Sequence, residues 1–412
     1  MTSAKNWRRL QVRDICSSID YGLTASASPY SHGPRFLRIT DIQEGKVDWS
    51  AVPGCNVSPA EVTKATLTDG DIVFARTGAT TGKSFLIKRP PSAVFASYLI
   101  RLRVDRSVAF PDFVQLYFQS DEYWQQLRRY ARGGAQPNVN ASLLGNIELP
   151  LPPVAEQERI AARLGAALVL VDKARRASEE RVTAAEALPA AYLREVFGSV
   201  APFDAAPVPP VIPTRAGWKW HLLTDRARLA TGHTPSRRCP EYWSGDVPWI
   251  QLPDIRALDG KRAYETSERT NELGIANSAA VLLPEGTVCL SRTASVGFVT
   301  IMGRQMATSQ DFVNWVCGAD LHPDFLMYLF LRCRREIRDL GSGAVHHTIY
   351  FPTVEAFRVC VPPVDEQRRI AQQLSNRLAG AATVLAQCRD ELAAIEALPA
   401  ALLREAFGGR EG

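Results

Sequence analysis

The chain has 412 residues, of which 46% are hydrophobic and 22% are charged. This balance is ordinary for a globular protein and excludes disorder as its main state, while the length suggests two or three domains. The net charge of +5 is too small to indicate nucleic-acid binding by itself.

No apolar run reaches the roughly 20 residues that span a bilayer, and residues 1–9 lack the core of a signal peptide. The eight cysteines are scattered, with no C-x-x-C pair. This pattern argues against structural zinc and a disulfide framework, and it suits a reducing compartment. We therefore expect a cytoplasmic protein without a membrane or metal site.

Residues 1–153 are predicted to form one module of the α/β or α+β class. Runs of β-forming residues, such as Asp71 to Ala75 and Ser97 to Val104, alternate with a helical stretch from Pro111 to Tyr130. Arg76 follows a predicted strand and is a candidate for contact with phosphate or base. A structural salt bridge is an equally good interpretation of this arginine.

The stretch Thr77-Gly-Ala-Thr-Thr-Gly-Lys-Ser84 resembles a phosphate-binding loop. That motif, G-x-x-x-x-G-K-[ST], needs a glycine where Thr77 stands. The corresponding stretch from Thr293 to Gly297 has no lysine. We therefore expect a turn after a strand, with Thr77 and Lys83 as candidates for contact with DNA, and keep an NTPase only as a weaker alternative.

The segment before each predicted long helix is rich in turn-forming and hydrogen-bonding residues. Asn and Gln can pair with adenine, but the same residue types also form turns and helix caps. A third ligand for metal binding beside the two adjacent histidines is not found in the sequence. The candidates for contact with DNA in these two segments are Gln136, Asn138, Asn140, His346, His347 and Thr348.

Residues 154–199 and 364–409 are predicted to be long helices. Each follows a Pro-Pro pair and begins with acidic residues, which favour a helix N-terminus. The second carries apolar residues at the 4-3 spacing of a coiled coil, and the first interrupts the same register with Arg175 and Ser178. We expect the imperfect helix to pair with the other one. The seam of the second helix is Leu374, Leu378, Ala381, Leu385, Cys388, Leu392 and Ile395.

A proline lies near the end of each predicted helix, at Pro189 and Pro399. Because proline lacks a backbone donor and clashes with the preceding turn, we expect a kink or break there, after a rod of about 48 Å. A short helix should follow, ending at Gly198 and at Gly408.

Residues 200–217 are rich in Pro and Ala and are predicted to be a linker. Residues 218–363 then form a second module that shares landmarks with the first. Gly22-x-Thr24 corresponds to Gly232-x-Thr234, and Arg76-Thr77 corresponds to Arg292-Thr293. Arg292 is therefore a second candidate for contact with phosphate or base.

The segment 151–199 recurs 210 positions later as 361–409, and about 22 of the 49 aligned positions are identical. If the two helices pack antiparallel, this direct repeat becomes a pseudo-two-fold arrangement of two modules. The sequence has no H-E-x-x-H or G-x-S-x-G motif. A recognition or scaffolding protein is therefore expected.

Two sequence patterns resemble the conserved regions of the specificity (S) subunit of type I restriction–modification systems. The first, L-P-x-P-P-x-x-E-Q-x-R-I, stands at 149–160 and recurs as P-P-x-x-E-Q-x-R-I within 361–370. The second, L-P-x-x-x-L-R-E-x-F-G, stands at the helix ends, 188–198 and 398–408. The strand with Arg-Thr-Gly at Val73 to Gly78 is also typical of that family. The second module departs from it, with Ala294 in the place of Gly78.

The resemblance implies two target recognition domains, 1–153 and 218–363, that each read half of a split sequence in double-stranded DNA. The helices 154–199 and 364–409 would set the gap and dock two modification subunits, which carry S-adenosylmethionine and methylate adenine. Restriction subunits using ATP and Mg would join them, and this chain would be non-catalytic. Candidate docking residues are Glu156, Gln157, Arg159, Glu366, Gln367 and Arg369. A coiled-coil adaptor that binds only proteins is the main alternative.

Overall fold

The computed structural model describes residues 7–28, 33–43, 45–130, 139–208, 210–243, 245–342 and 347–408. The chain divides into two compact units, Met1–Glu179 with Asp390–Gly412, and Glu180–Arg389. Each unit contains one of the two predicted modules together with a segment of both long helices. Helices and strands are mixed in each, as the sequence predicts.

The first unit contains twelve of the described strands. They are β1 Arg8–Gln11, β2 Cys16–Tyr21, β3 Ala27–Ser28, β4 Arg35–Leu37, β5 Ile42–Gln43, β6 Lys46–Val47, β7 Gly54–Cys55, β8 Ile72–Ala75, β9 Ser84–Leu86, β10 Ala93–Phe95, β11 Leu99–Val104 and β12 Glu148–Leu151. The helices that begin in this unit are α1 Pro59–Ala65, α2 Pro111–Tyr117, α3 Asp121–Tyr130, α4 Ala141–Gly145 and α5 Val154–Phe197.

An antiparallel sheet with the order β2-β11-β8-β9 is the centre of the first module. Strand β8 is buried along its whole length, as the apolar run from Ile72 to Ala75 predicts. A second sheet, β10-β4-β7-β3, contains a parallel pair, and β1 pairs with β12 just before α5.

The second unit repeats this build. Its described strands are β13 Phe203–Asp204, β14 Lys219–Leu222, β15 Ala227–Thr231, β16 Val247–Ile250, β17 Arg262–Ala263, β18 Arg269–Thr270, β19 Val288–Ser291, β20 Val299–Met302, β21 Ala307–Thr308, β22 Phe312–Cys317 and β23 Arg358–Val361. Its described helices are α6 Leu252–Leu258, α7 Glu272–Ala276, α8 Pro323–Arg332, α9 Arg334–Asp339, α10 Phe351–Glu355 and α11 Val364–Phe407.

The sheet β15-β22-β19-β20-β17 corresponds to the central sheet of the first module, with β17 added at its edge. Strand β14 pairs with β23 as β1 pairs with β12. The predicted linker is not a plain spacer, because its strand β13 pairs with β23 and places Phe203 in the core beside Phe357. Part of that Pro-rich segment therefore belongs to the second module.

Both long helices run without a break for 44 residues and contain their prolines. The predicted break at Pro189 and Pro399 is therefore wrong, whereas a kink at these prolines stays a prediction. The predicted ends are confirmed, since α5 stops at Phe197 and α11 at Phe407. The Gly198 N–H donates to the Arg194 carbonyl at 2.8 Å and Gly198 has φ +88°, the left-handed conformation of a helix C-terminus.

The helices pair antiparallel within each unit. In the second unit Glu195 binds Arg377 at 2.6 Å and Glu186 binds Arg389 at 2.7 Å, so positions rise on one helix as they fall on the other. In the first unit Arg163 lies 3.9 Å from Glu405. The seam predicted for α11 is confirmed, because all seven of its positions are buried or half-buried. None of the described helices is both long and apolar enough to span a membrane.

Candidate nucleic-acid interface

The loops of the first module meet at one edge of its central sheet. Because β2, β11 and β8 are antiparallel neighbours, the end of β2 at Tyr21, the start of β11 at Leu99 and the end of β8 at Ala75 lie side by side. The loops that follow β2 and β8 and the loop that precedes β11 therefore share this edge, which we call the loop edge.

Arg76 is the first residue after β8 and lies in the middle of the loop edge. Its Nη1 donates to the Ser97 carbonyl at 3.0 Å, and its guanidinium lies 4.7 Å from the centre of the Tyr21 ring. Among the described residues, its buried Nε has no hydrogen-bond partner and no carboxylate pairs with it. The salt bridge that the sequence allowed is absent from this part of the chain, so the charge stays uncompensated.

The segment before α5 returns to the same edge. The Val139 N–H donates to the Arg76 carbonyl at 3.0 Å, and the Ala141 N–H donates to the Tyr21 hydroxyl at 3.0 Å. Asn140 serves as the N-cap of α4, since its Oδ1 accepts the Leu143 N–H at 2.8 Å. The cap interpretation of Asn140 is therefore confirmed, and its contact with DNA stays a prediction.

Arg292 occupies the equivalent position in the second module, directly after β19. Its Nη1 donates to the Ile349 carbonyl at 3.3 Å and its guanidinium lies 4.8 Å from the centre of the Phe351 ring. Burial lowers the pKa of this guanidinium, and Asp311 opposes the shift. Arginine remains charged throughout the physiological range, so this edge also carries a partly desolvated cation.

The segment before α11 lies beside Arg292 as its counterpart lies beside Arg76. The Ile349 N–H donates to the Arg292 carbonyl at 2.9 Å, which is the counterpart of the bond that Val139 makes to Arg76. Thr348 bridges both Thr293 and Ser342, and the His347 carbonyl accepts the Ala294 N–H at 3.0 Å. The structure thus brings Arg292, His347 and Thr348 together.

The loop keeps a left-handed backbone conformation where Ala294 stands in the place of Gly78. Gly78 has φ +83°, and Ala294 also lies in the left-handed region, with φ +57°. An alanine there costs about 1–2 kcal/mol relative to its favoured conformations. The hydrogen bond from Ala294 to His347 helps to hold this strained turn.

Gly22 and Gly232 allow a close crossing at the loop edge. A Cβ on Gly22 would collide with the carbonyl oxygens of Phe95 and Ala96, and one on Gly232 would collide with Thr308 and Ser309. The Gly-x-Thr landmark therefore marks a loop that passes directly over the segment before β11 or β22. The sequence analysis did not identify Tyr21 and Tyr98 on the edge of the first module or Gln310 on that of the second. The shared Gly-x-Thr pattern could have indicated both edges.

Thr77 and Lys83 lie in a tight hairpin between β8 and β9. The Gly82 N–H donates to the Ala75 carbonyl at 2.9 Å, and the Ala75 N–H donates to the Lys83 carbonyl at 3.0 Å. A phosphate-binding loop leads into a helix, whereas this one leads into a strand. The expected turn is confirmed, and both side chains are exposed on it. The candidates Gln136, Asn138 and His346 lie outside the described residues.

The chain matches one family model twice. The model described as the type I restriction modification DNA specificity domain matches residues 6–168 and again 216–392, which together make up most of the chain. The chain belongs to this family of specificity subunits. Its two matched segments correspond to the two modules.

Relatives and solved structures agree with this membership. The putative type I restriction enzyme MjaX specificity subunit of Methanocaldococcus jannaschii is 22% identical over 90% of this chain and 86% of its own length. The MjaIX specificity subunit of that organism is 27% identical, but the alignment spans only 38% of this chain and 37% of the relative.

A chain from a structure titled for complex assembly and conformational transition of the type I R-M system is 22% identical, with TM-score 0.70, and the match covers 98% of both chains. The HsdS subunit of Thermoanaerobacter tengcongensis gives TM-score 0.63 at 20% identity, covering 99% of this chain and 98% of that one. At these identities the solved structures show a shared fold.

Two of the predicted docking residues of this specificity subunit are misassigned. Gln157 is fully buried: its Oε1 accepts the Phe110 N–H at 2.8 Å and its Nε2 donates to the Pro152 carbonyl at 2.8 Å. Gln367 is buried in the same way, accepting the His322 N–H at 2.9 Å. Both glutamines hold their own module to the start of a helix and cannot reach a partner.

The other predicted docking residues are paired on each helix. Glu156 binds Arg159 at 2.6 Å, and Glu366 binds Arg369, each three residues further along one helix. Both arginines are exposed. Their suggested role in docking a partner stays a prediction.

Proposed function

We propose that this chain reads a split sequence in double-stranded DNA, one half with each loop edge, and has no catalytic activity of its own. The observation that carries the proposal is the repeated construction at Arg76 and Arg292. In each module an arginine that forms no ion pair with the described residues follows a central strand, and its carbonyl accepts a hydrogen bond from the segment before a long helix.

The two arginines fit a contact that does not depend on sequence. Modules that read different half-sites must differ in the groups that read bases, whereas Arg76 and Arg292 share their place and their bonding. Each has one Nη1 donating to a backbone carbonyl and stacks on an aromatic ring, so its position is fixed. We assign them to backbone phosphates, which position a protein on DNA without specifying its sequence.

Exposed apolar residues on a long helix support the docking of partner subunits there. Val169 and Leu170 on α5 are 56% and 65% exposed, which is unusual for adjacent large apolar residues on a helix. We propose that two modification subunits dock along the helices and that these subunits supply S-adenosylmethionine for adenine methylation. Flipping the adenine out of the duplex lets that chemistry occur in the partner.

Restriction subunits that use ATP and Mg complete the proposed complex. We assign ATP to those subunits, and the hairpin from Thr77 to Lys83, which leads into a strand rather than a helix, supports this assignment. We place the complex in the cytoplasm, in keeping with eight cysteines that are all unpaired.

The proposal is tested by exchanging residues 1–150 for the equivalent module of another specificity subunit. The chain is expressed with its modification subunit in a methylation-free host, and the modified motif is read by methylome sequencing. We expect one half of the split motif to change while the other half stays constant. The matched exchange of 218–360 should change only the other half.

Two results would contradict this function. A change in both halves after one exchange would disprove independent reading by the modules. A complex that assembles but binds all DNA sequences equally would favour the protein-binding adaptor instead.

A further inference from the structure

The loop that follows β15 carries two consecutive arginines, Arg237 and Arg238. The His233 N–H donates to the Thr308 carbonyl at 2.9 Å, and the Thr234 hydroxyl donates to Gln310 at 2.5 Å. The next residue, Asp311, accepts the Arg292 N–H through its carbonyl at 2.8 Å. The loop 233–239 therefore lies on the loop edge of the second module.

Two tryptophans fix the shape of this loop. The Trp249 Nε1–H donates to the His233 carbonyl at 3.2 Å, and the Trp243 Nε1–H donates to the Ser236 carbonyl at 3.2 Å. Their rings pack edge to face with centres 4.9 Å apart. Because Trp249 is almost fully buried, these bonds tie the loop backbone to the core.

Arg237 packs on both of these tryptophans. Its guanidinium lies 3.8 Å from the centre of the Trp243 ring and 5.0 Å from that of Trp249, and Nη2 binds Glu268 at 2.7 Å. Arg237 therefore stabilises the loop through its ring contacts and its ion pair with Glu268.

Arg238 makes no such contacts. It is exposed, and within the described part of the chain its guanidinium has no ion pair, hydrogen bond or ring contact. Its backbone N–H donates to the Ser236 hydroxyl at 3.3 Å, which fixes the main chain from which it projects. A free guanidinium on a rigid loop is prepared for a directional contact, since little loop entropy is lost on binding.

The two arginines of this loop have no counterpart in the corresponding loop after β2 of the first module. After Gly22-x-Thr24 the sequence continues Ala25-Ser-Ala-Ser28, and the next arginine is Arg35. The shared arginines of the two edges are Arg76 and Arg292, so Arg238 belongs to the part that distinguishes the modules. A residue confined to one module is suited to reading sequence rather than the uniform phosphate backbone.

We propose that Arg238 reads a guanine in the half-site bound by the second module, by two parallel hydrogen bonds to its O6 and N7. This is the geometry in which a guanidinium recognises guanine in the major groove. The proposal rests on the function proposed above and adds the residue and the base to it.

The test uses the complex with the modification subunit and compares wild type with Arg238→Ala, Arg238→Lys and the control Arg228→Ala. Arg228 is an exposed arginine on β15, so its variant loses the same charge outside the loop. Methylome sequencing gives the motif of each complex, and binding to single-base variants of the site gives the discrimination. Thermal unfolding verifies that each variant is folded.

For Arg238→Ala we expect one G·C position of one half-site to become tolerant, with discrimination at that position falling about ten- to a hundredfold. Arg238→Lys should relax the same position, because a lysine cannot make the paired bonds. Arg228→Ala and the other half-site should keep the wild-type motif.

Uniform weakening of binding with an unchanged motif and a shallower salt dependence would identify Arg238 as a phosphate contact and overturn the proposal. A wild-type half-site that requires no G·C pair would overturn it as well. A wild-type complex that modifies no split motif would instead disprove the underlying function, so the two failures are distinguishable.

Discussion

Gln157 and Gln367 show how a single residue can hold a module to its helix. Each amide accepts one backbone N–H and donates to backbone carbonyls of the same module, and each side chain is fully buried. Removing such an amide leaves buried backbone groups unpaired, which costs more than the hydrogen bond itself contributes. These glutamines therefore stabilise the junction between module and helix.

Gln157→Ala is expected to lower the free energy of unfolding of the first unit by about 2–3 kcal/mol, through the unpaired Phe110 N–H and Pro152 carbonyl. Urea denaturation of the purified chain measures this. Arg159→Ala, two residues away but exposed, should leave the free energy of unfolding nearly unchanged. If Gln157→Ala were fully stable but no longer bound the modification subunit, the docking role would be restored.

Single residues were also where sequence reasoning was weakest. The pattern E-Q-x-R shows polar residues at the start of a helix but not which of them faces the module. Arg76 was placed correctly after its strand, yet its packing on Tyr21 depends on a residue 55 positions earlier in the sequence. Contacts between distant segments cannot be derived from local patterns.

At the scale of elements, the two prolines illustrate competition between local cost and packing. A proline inside a helix costs about 3 kcal/mol. Beyond Pro189, Leu193 and Phe197 are buried in the core of the second unit, and each buried side chain of this size contributes about 1.5–3 kcal/mol. The packing gain matches the local cost, so the helix continues. Sequence patterns reveal the free-energy cost of a proline inside a helix but not the stabilisation from side chains that are buried beyond it.

The helix registers were predictable because their period is local. The 4-3 spacing of α11 identified positions that are buried or half-buried in the structure, and the strands β8 and β11 were expected within two residues of their ends. Ser178, which interrupts the seam of α5, is fully buried, and among the described residues its hydroxyl has no hydrogen-bond partner.

Ser178→Ala is expected to stabilise the chain by about 1 kcal/mol, because it removes a buried unpaired hydroxyl and alanine is a better helix former. The matched control is Ser375→Ala in α11, an exposed serine whose substitution changes mainly the helix propensity and should stabilise the chain by less. Both effects are measured as shifts of the thermal unfolding midpoint. A lower midpoint for Ser178→Ala would show that the hydroxyl has a partner in solution.

For the molecule as a whole, each module is completed by the end of a helix that is distant in sequence or begins in the other unit. Phe407, near the C-terminus, packs against Phe113 and Tyr117 of the first module at ring-centre distances of 5.2 and 5.5 Å. Phe197 packs against Trp218 and Phe325 of the second module. The repeat in the sequence predicted two similar helix ends, but only the structure shows which core each one enters.

These two phenylalanines give a reciprocal experiment on the whole chain. Phe407→Ala should loosen the first module and Phe197→Ala the second, each by about 3–5 kcal/mol, because a buried ring is replaced by a cavity. Hydrogen exchange followed by mass spectrometry measures this, with β8 and β11 reporting on the first module and β19 and β22 on the second. Each variant serves as the control for the other, since the substitution is the same. Faster exchange in both modules after one substitution would mean that the chain unfolds as a single cooperative unit, and faster exchange in the opposite module would contradict the assignment of helix ends to cores.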